Sequence, residues 1–111
     1  MNIGLKDVKK INKEFGGNLR DSGSLEFAIS AGKGKSERRK LALIWRAILT
    51  DHPFDDGNKR TVEILTRKYA EENDYEIDTE ALVKEIIDIS KNNITNLNKI
   101  ERRIKYAATG N

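Results

Sequence analysis

The sequence predicts an all-α fold, a compact single-domain bundle of about six helices over residues 1–111. Three observations carry that reading. Apolar residues recur at steps of three and four along nearly the whole chain, the spacing that gathers them on one helical face. Pro53 is the one proline, so long helices can run unbroken. No stretch alternates apolar and polar residues for long enough to suggest a strand pair. A chain of 111 residues fills one domain. At that size it buries about 60–70% of its unfolded surface, enough for a single core without staples.

Leu5, Val8, Ile11 and Phe15 mark the first helix, and Gly16-Gly17 stops it. Ser22 or Ser24 is the candidate cap of a short helix holding Leu25, Ala28 and Ile29, which Gly32 and Gly34 break. From Ser36 a helix runs to about Asp51 through Leu41, Ile44, Trp45, Ile48 and Leu49. Between Leu41 and Leu49 only Arg46 is charged, so this helix is expected at the centre of the molecule. His52-Pro53 ends it, because proline disfavours a helical predecessor and has no amide to donate. The next helix starts near Asn58 and carries Val62, Leu65 and Tyr69. Asn73 to Ile77 reads as a turn and a short extended piece. Asp78 is a cap for a helix with Leu82, Val83, Ile86, Ile87 and Ile89. Ile94, Leu97, Ile100 or Glu101, Ile104 and Ala107 trace the last helix.

Charged residues make up 35% of the chain, 21 basic against 18 acidic, for a net +3. Such balance suits solvated helix faces rather than disorder. The charge is nevertheless segregated. Residues 33–46 hold six basic residues against Glu37, residues 71–90 hold eight acids against Lys84, and residues 91–105 hold five basic residues against Glu101. No cysteine is present, which excludes disulfides, zinc–thiolate sites, iron–sulfur clusters and thiol nucleophiles. No apolar run approaches the roughly 18 residues of a membrane-spanning helix. The stretch Met1 to Lys13 alternates charge with single apolar residues and lacks a signal-peptide core, so a cytoplasmic protein is expected.

One segment concentrates chemistry: His52-Pro53-Phe54-Asp55-Asp56-Gly57-Asn58-Lys59-Arg60. It holds the single histidine, two carboxylates, a glycine, an amide, a lysine and an arginine. Its second half opens a helix, where unpaired backbone amides and the helix dipole favour an anion. Gly57 lets a phosphate approach the backbone, and Asn58, Lys59 and Arg60 add donors suited to phosphate oxygens. Asp56 can hold Mg²⁺ through one or two positions, with phosphates completing the shell. His52 can accept a proton near neutral pH. Phe54 reads as an apolar anchor that pins the loop, and Asp55 as a solvated loop residue. These are the parts of phosphoryl or nucleotidyl transfer. The plainer reading is that Asp, Gly and Asn here are only turn and cap residues.

This segment resembles the signature of the Fic/Doc superfamily, His-x-Phe-x-[Asp/Glu]-Gly-Asn-[Gly/Lys]-Arg. His52, Phe54, Asp56, Gly57, Asn58, Lys59 and Arg60 meet every fixed position. Upstream, Phe15-Gly16-Gly17, Leu19-Arg20-Asp21, Gly23, Leu25-Glu26 and Ala28 are similar to a segment of the Doc branch, as are Thr61 and the tract Tyr69…Asn73-Asp74-Tyr75. The resemblance implies that His52 deprotonates a hydroxyl of a target protein and that Asp56 holds the metal bridging nucleotide phosphates. It implies further that the Gly57-Asn58 backbone and the Asn58 side chain form an anion hole, and that Arg60 contacts phosphate. Lys59 stands where AMP-transferring members have glycine, and Glu63 where they have a second arginine. Both departures match the Doc branch, in which ATP binds in reverse and its γ-phosphate is transferred to a translation elongation factor. That branch has alanine where this chain has Gly57, a difference expected to matter little.

The resemblance thus implies a kinase-type toxin using ATP and Mg²⁺, restrained by an antitoxin partner. Members of the family dock targets on a β-hairpin flap. By position the flap would be Gly32, Lys33, Gly34 and Lys35, within Ala31–Ser36, which read otherwise as a plain interhelical loop. The family's self-inhibitory pattern is not met, since Ser22…Glu26 is followed by Phe27. Two alternatives stand beside this reading. One is AMP or other nucleotidyl transfer. The other is a non-catalytic helical module that binds nucleic acid through the basic segments.

Overall fold

The computed structural model describes residues 2–110. The central element is α3 (Glu37–Asp51), as its all-round apolar sequence predicts. Leu41 through Trp45 and Ala47 through Leu49 are buried. The Trp45 indole N–H donates to Thr66 Oγ1 at 2.9 Å, and that hydroxyl donates to the Val62 carbonyl at 2.8 Å, so the buried polar atoms of this contact are satisfied. Around it lie α1 (Leu5–Lys13), α2 (Gly23–Ala31), α4 (Asn58–Glu72), α5 (Thr79–Lys91) and α6 (Leu97–Ala107). Helices α2, α4 and α6 pack directly on α3, α5 leans on α6 and α4, and α1 on α4. Val8, Leu25, Leu65, Leu82, Ile100 and Ile104 carry these faces into one core. Among the described residues no helix is long and apolar enough to cross a membrane.

Local chemistry sets the helix starts. Ser36 accepts the Arg39 N–H at 3.2 Å, Asp78 the Ala81 N–H at 3.0 Å, and Asn96 the Lys99 N–H at 3.0 Å. At α2 neither Ser22 nor Ser24 caps through its side chain. Asp21 does so, its carboxylate accepting the Gly23 N–H at 2.8 Å, because a charged acceptor at a helix N-terminus outcompetes a hydroxyl. Ile94 lies ahead of α6, which opens only after its Asn96 cap.

A strand pair exists where the sequence suggests none. β1 (Tyr75–Ile77) and β2 (Ala108–Gly110) run antiparallel, with Glu76 opposite Thr109. The Asp78 N–H donates to the Ala107 carbonyl at 2.9 Å and extends the ladder to the start of α5. Strands this short hold too little alternation to register, and two helices separate the partners in sequence. The segment matching the family's flap is no hairpin. Gly32 to Lys35 is all that separates α2 from the cap of α3, too short a piece to form two strands. It is a tight turn instead, with Lys35 N–H donating to Gly32 at 3.0 Å and Gly34 at φ +77°.

Candidate functional site

The turn from His52 to Gly57 joins the end of α3 to the start of α4. His52 closes α3 with φ 48° and ψ 63°, a left-handed backbone that turns the chain sharply. Its N–H donates to Ile48 at 3.1 Å, and its carbonyl accepts Arg20 Nη2 at 3.0 Å. Pro53 then fixes the next torsion and is itself buried. The half-buried imidazole therefore hangs from a backbone held on both sides. No described residue hydrogen-bonds to the ring, which leaves both nitrogens for a ligand or water.

Phe54 is 1% exposed and anchors the turn in the core, as its aromatic character suggests. A second segment, residues 18–21, pairs with it. Leu19 and Phe54 form an antiparallel bridge, Arg20 N–H donates to Pro53 at 2.8 Å, and Asp55 N–H donates to Asn18 at 3.0 Å. Arg20 Nη2 also reaches the Phe54 carbonyl at 3.3 Å, so one guanidinium clamps the backbone on both sides of Pro53. Asp55 is not merely solvated. Its carboxylate accepts the Asn18 N–H at 2.7 Å, and that hydrogen bond, with help from Arg20, holds its pKa below the usual aspartate value.

The Asn58 side chain also braces the turn. Its side-chain oxygen accepts the Phe54 N–H at 3.2 Å and its Nδ2 donates to the Phe54 carbonyl at 2.9 Å. The amide braces the loop through its oxygen and one N–H, which leaves its second N–H for an anion beside the backbone N–H groups at the start of α4. Those groups are open, because α4 starts without a side-chain cap. Asp56 Oδ1 accepts the Gly57 N–H at 2.8 Å, while its other oxygen has no partner among the described residues. Lys59 and Arg60 are exposed on the first turn of α4, with the Arg60 guanidinium 5.7 Å from the centre of the Phe15 ring. Glu63 turns away to pair with Arg67 at 3.5 Å.

Gly57 has φ +74°, and a Cβ there would lie 3.0 Å from Phe15 Cβ and 3.1 Å from Asn12 Nδ2. An alanine at this position is therefore strained in this chain, contrary to the expectation that the exchange is neutral. Asn12 is the residue that sequence reasoning misses. It is 1% exposed on α1, and its Nδ2 donates to the Asp56 carbonyl at 2.8 Å and to Thr61 Oγ1 at 3.1 Å. Gly17 is needed beside it, since a Cβ would collide with Asn12 Oδ1 and the Asp56 carbonyl. The one sequence signal was an asparagine four residues after Val8, on the apolar face of α1.

The basic block at 33–46 does not gather at this turn, although it is close in sequence. Arg39 binds Glu101 at 2.9 Å and Asn98 at 2.9 Å, and Arg46 reaches the Thr95 carbonyl at 3.5 Å. Arg39 stands about 20 Å along α3 from His52 at 1.5 Å per residue. Gly32 to Lys35 lie at that same far end of α3. No three His, Asp or Glu side chains converge on a cation position among the described residues. A cation at Asp56 would draw its remaining ligands from phosphate and water, as Mg²⁺ does. The turn and the first turn of α4 thus carry His52, Asp56, Gly57, Lys59, Arg60 and an open helix N-terminus along one stretch of chain. Compared with known protein families, curated proteins and solved structures, the chain matches none of them.

Proposed function

We propose that the protein transfers the γ-phosphate of ATP to a hydroxyl of a target protein, as the resemblance to the Doc branch of the Fic/Doc superfamily implies. One observation carries the reading. The residues at the fixed positions of the signature fall on a single braced turn whose second half is an uncapped helix N-terminus. In that arrangement the N–H groups of Asn58, Lys59 and Arg60 face incoming phosphate oxygens, and Lys59 and Arg60 add two cations. The free oxygen of Asp56 suits one position on Mg²⁺, which when bound neutralises phosphate charge. His52 takes the proton from the target hydroxyl as that oxygen attacks the γ-phosphorus. The new O–P bond forms, the bond to the β–γ bridging oxygen breaks, ADP leaves, and the proton passes from His52 to solvent.

The resemblance supplies the expected target class, a translation elongation factor, and an antitoxin as the inhibiting partner. The pairing of Arg39 and Arg103 with carboxylates of the fold weighs against a nucleic-acid module. The test is label transfer from γ-labelled and α-labelled ATP to elongation factor in the presence of Mg²⁺. Label is expected from the γ position only, and His52→Ala should abolish it without lowering the melting temperature. Label from the α position alone would replace this reading with AMP transfer, and absence of label from both would refute it. Lys59→Gly should weaken γ transfer.

A further inference from the structure

Two open clefts of about 640 Å³ and 460 Å³ adjoin at Phe27, Leu43 and Arg46, which line both, and together they make a groove on one side of α3. It runs along α3 from Ser36 to Asp51, a length of roughly 22 Å at 1.5 Å per residue. Leu43 and Ala47 form its buried floor. Phe27 and Ala31 of α2 make one wall, and Thr95 and Leu97 the other. Phe27 is 64% exposed, although it is a large aromatic set over an apolar floor. An aromatic left to water beside a groove marks an unfilled contact surface.

The groove also has a charge. Lys35, Arg39 and Arg46 line it, and the acid lining it, Asp51, sits at its far end. Glu101 neutralises Arg39. The Arg46 guanidinium hydrogen-bonds only to the Thr95 carbonyl among the described residues, and Lys35 has no acidic partner among them. An arginine in mid-groove with no carboxylate, next to an exposed phenyl ring, matches an acidic side chain adjoining an apolar anchor.

We infer that this groove binds an acidic polypeptide segment of another protein, anchored by an apolar side chain against Phe27 and Leu43. Binding needs no added strand, and residues 31–36 offer none. The Asp51 end adjoins His52, so a segment lying in the groove leads towards the turn described above. That the segment belongs to the phosphotransfer target rests on the proposed function, whereas the binding itself does not.

The probe is a short fluorescent peptide of alternating glutamate and leucine, with a lysine–leucine twin as control. Anisotropy should show binding of the first alone, weakened by salt. Amide NMR shifts should cluster at Phe27, Leu43, Arg46 and Leu97. Phe27→Ser and Arg46→Glu should each lower affinity by about tenfold or more. Lys35→Glu, on an exposed turn, should also lower it and serves should Arg46→Glu not fold. Val83→Ser and His52→Ala should leave binding unchanged, so this result stands or falls apart from phosphotransfer. Equal binding of the twins, shifts elsewhere, or indifference to all three groove variants overturns the inference. So does a single-stranded RNA that displaces the peptide. A mass that grows with concentration and is abolished by Phe27→Ser would give the groove to a second copy of the chain and overturn it as well.

Discussion

At Gly57 a left-handed backbone torsion and two close neighbours, Phe15 and Asn12, strain any added side chain. Gly57→Ala should cost about 1–2 kcal/mol through the positive φ and the crowding, read as a lower urea midpoint. Asn12→Ala removes the donor that supports the Asp56 carbonyl and the Thr61 hydroxyl. Losing a buried partner of this kind costs about 1–3 kcal/mol. Asp55 supplies a pH dependence. The Asn18 N–H holds its carboxyl below the ordinary value in the folded protein. Its contribution is therefore complete above the unfolded aspartate pKa, roughly 3.9, and is lost as pH falls through the lower folded value. Melting temperature against pH should fall on the acid side, and less steeply in Asp55→Asn. The chemistry-bearing residues of the turn were legible because they are contiguous. The roles of their supports, Asn12, Asn18 and Arg20, were not, although Arg20 stands in the upstream segment similar to the Doc branch: each acts across 32 or more positions, and a single sequence carries no sign of such pairing. The bracing role of Asn58 was hidden for a related reason: its residue type suits an anion or a loop equally, and only geometry shows that Phe54 pairs with both its oxygen and its nitrogen.

The helices are the legible elements, since both their periodicity and their caps are local. The Asp78 cap at α5 was readable from the sequence, and it sits where the ladder of β1 and β2 hands over to the helix. Asp78→Ala should cost about 1 kcal/mol, measured by chemical denaturation, and should speed amide exchange in the first turn of α5. The strand pair was illegible because its signal lies in neither segment alone. Tyr75 is extended because Gly110 lies opposite and because its ring meets Tyr69 edge-on at 5.7 Å. The turn at Gly32 to Lys35 shows the opposite error. Family position suggested a hairpin, and the spacing between two well-capped helices forbade one.

Across the molecule, the sequence shows blocks of one sign, and the fold pairs a residue of each basic block with an acid on another helix. Arg103 of the second basic block binds Glu85 at 2.7 Å and Asp88 at 2.5 Å in the acidic block. Arg39 of the first basic block reaches Glu101 on α6. Segregation along the chain thus becomes pairing between packed helices, and the charges at the turn are its own: Lys59, Arg60 and Arg20 against Asp55 and Asp56. Arg103→Met should lower the melting temperature slightly, and the difference from wild type should shrink with added salt because these pairs are partly exposed.

The braces of the turn run from one portion of the chain to the other across an exposed loop at Gly34, where nothing crowds the backbone. A cut there would leave every signature residue on one fragment, and Asn12, Asn18 and Arg20 on the other. If the chain carries out the proposed phosphotransfer, the fragment with the signature would be inert by itself, and noncovalent reassembly would restore it. Mixing the two pieces makes label transfer a report of complementation, with a concentration dependence that measures how tightly the halves re-form one body. The motif is in this sense a property of two segments, although it is written in one.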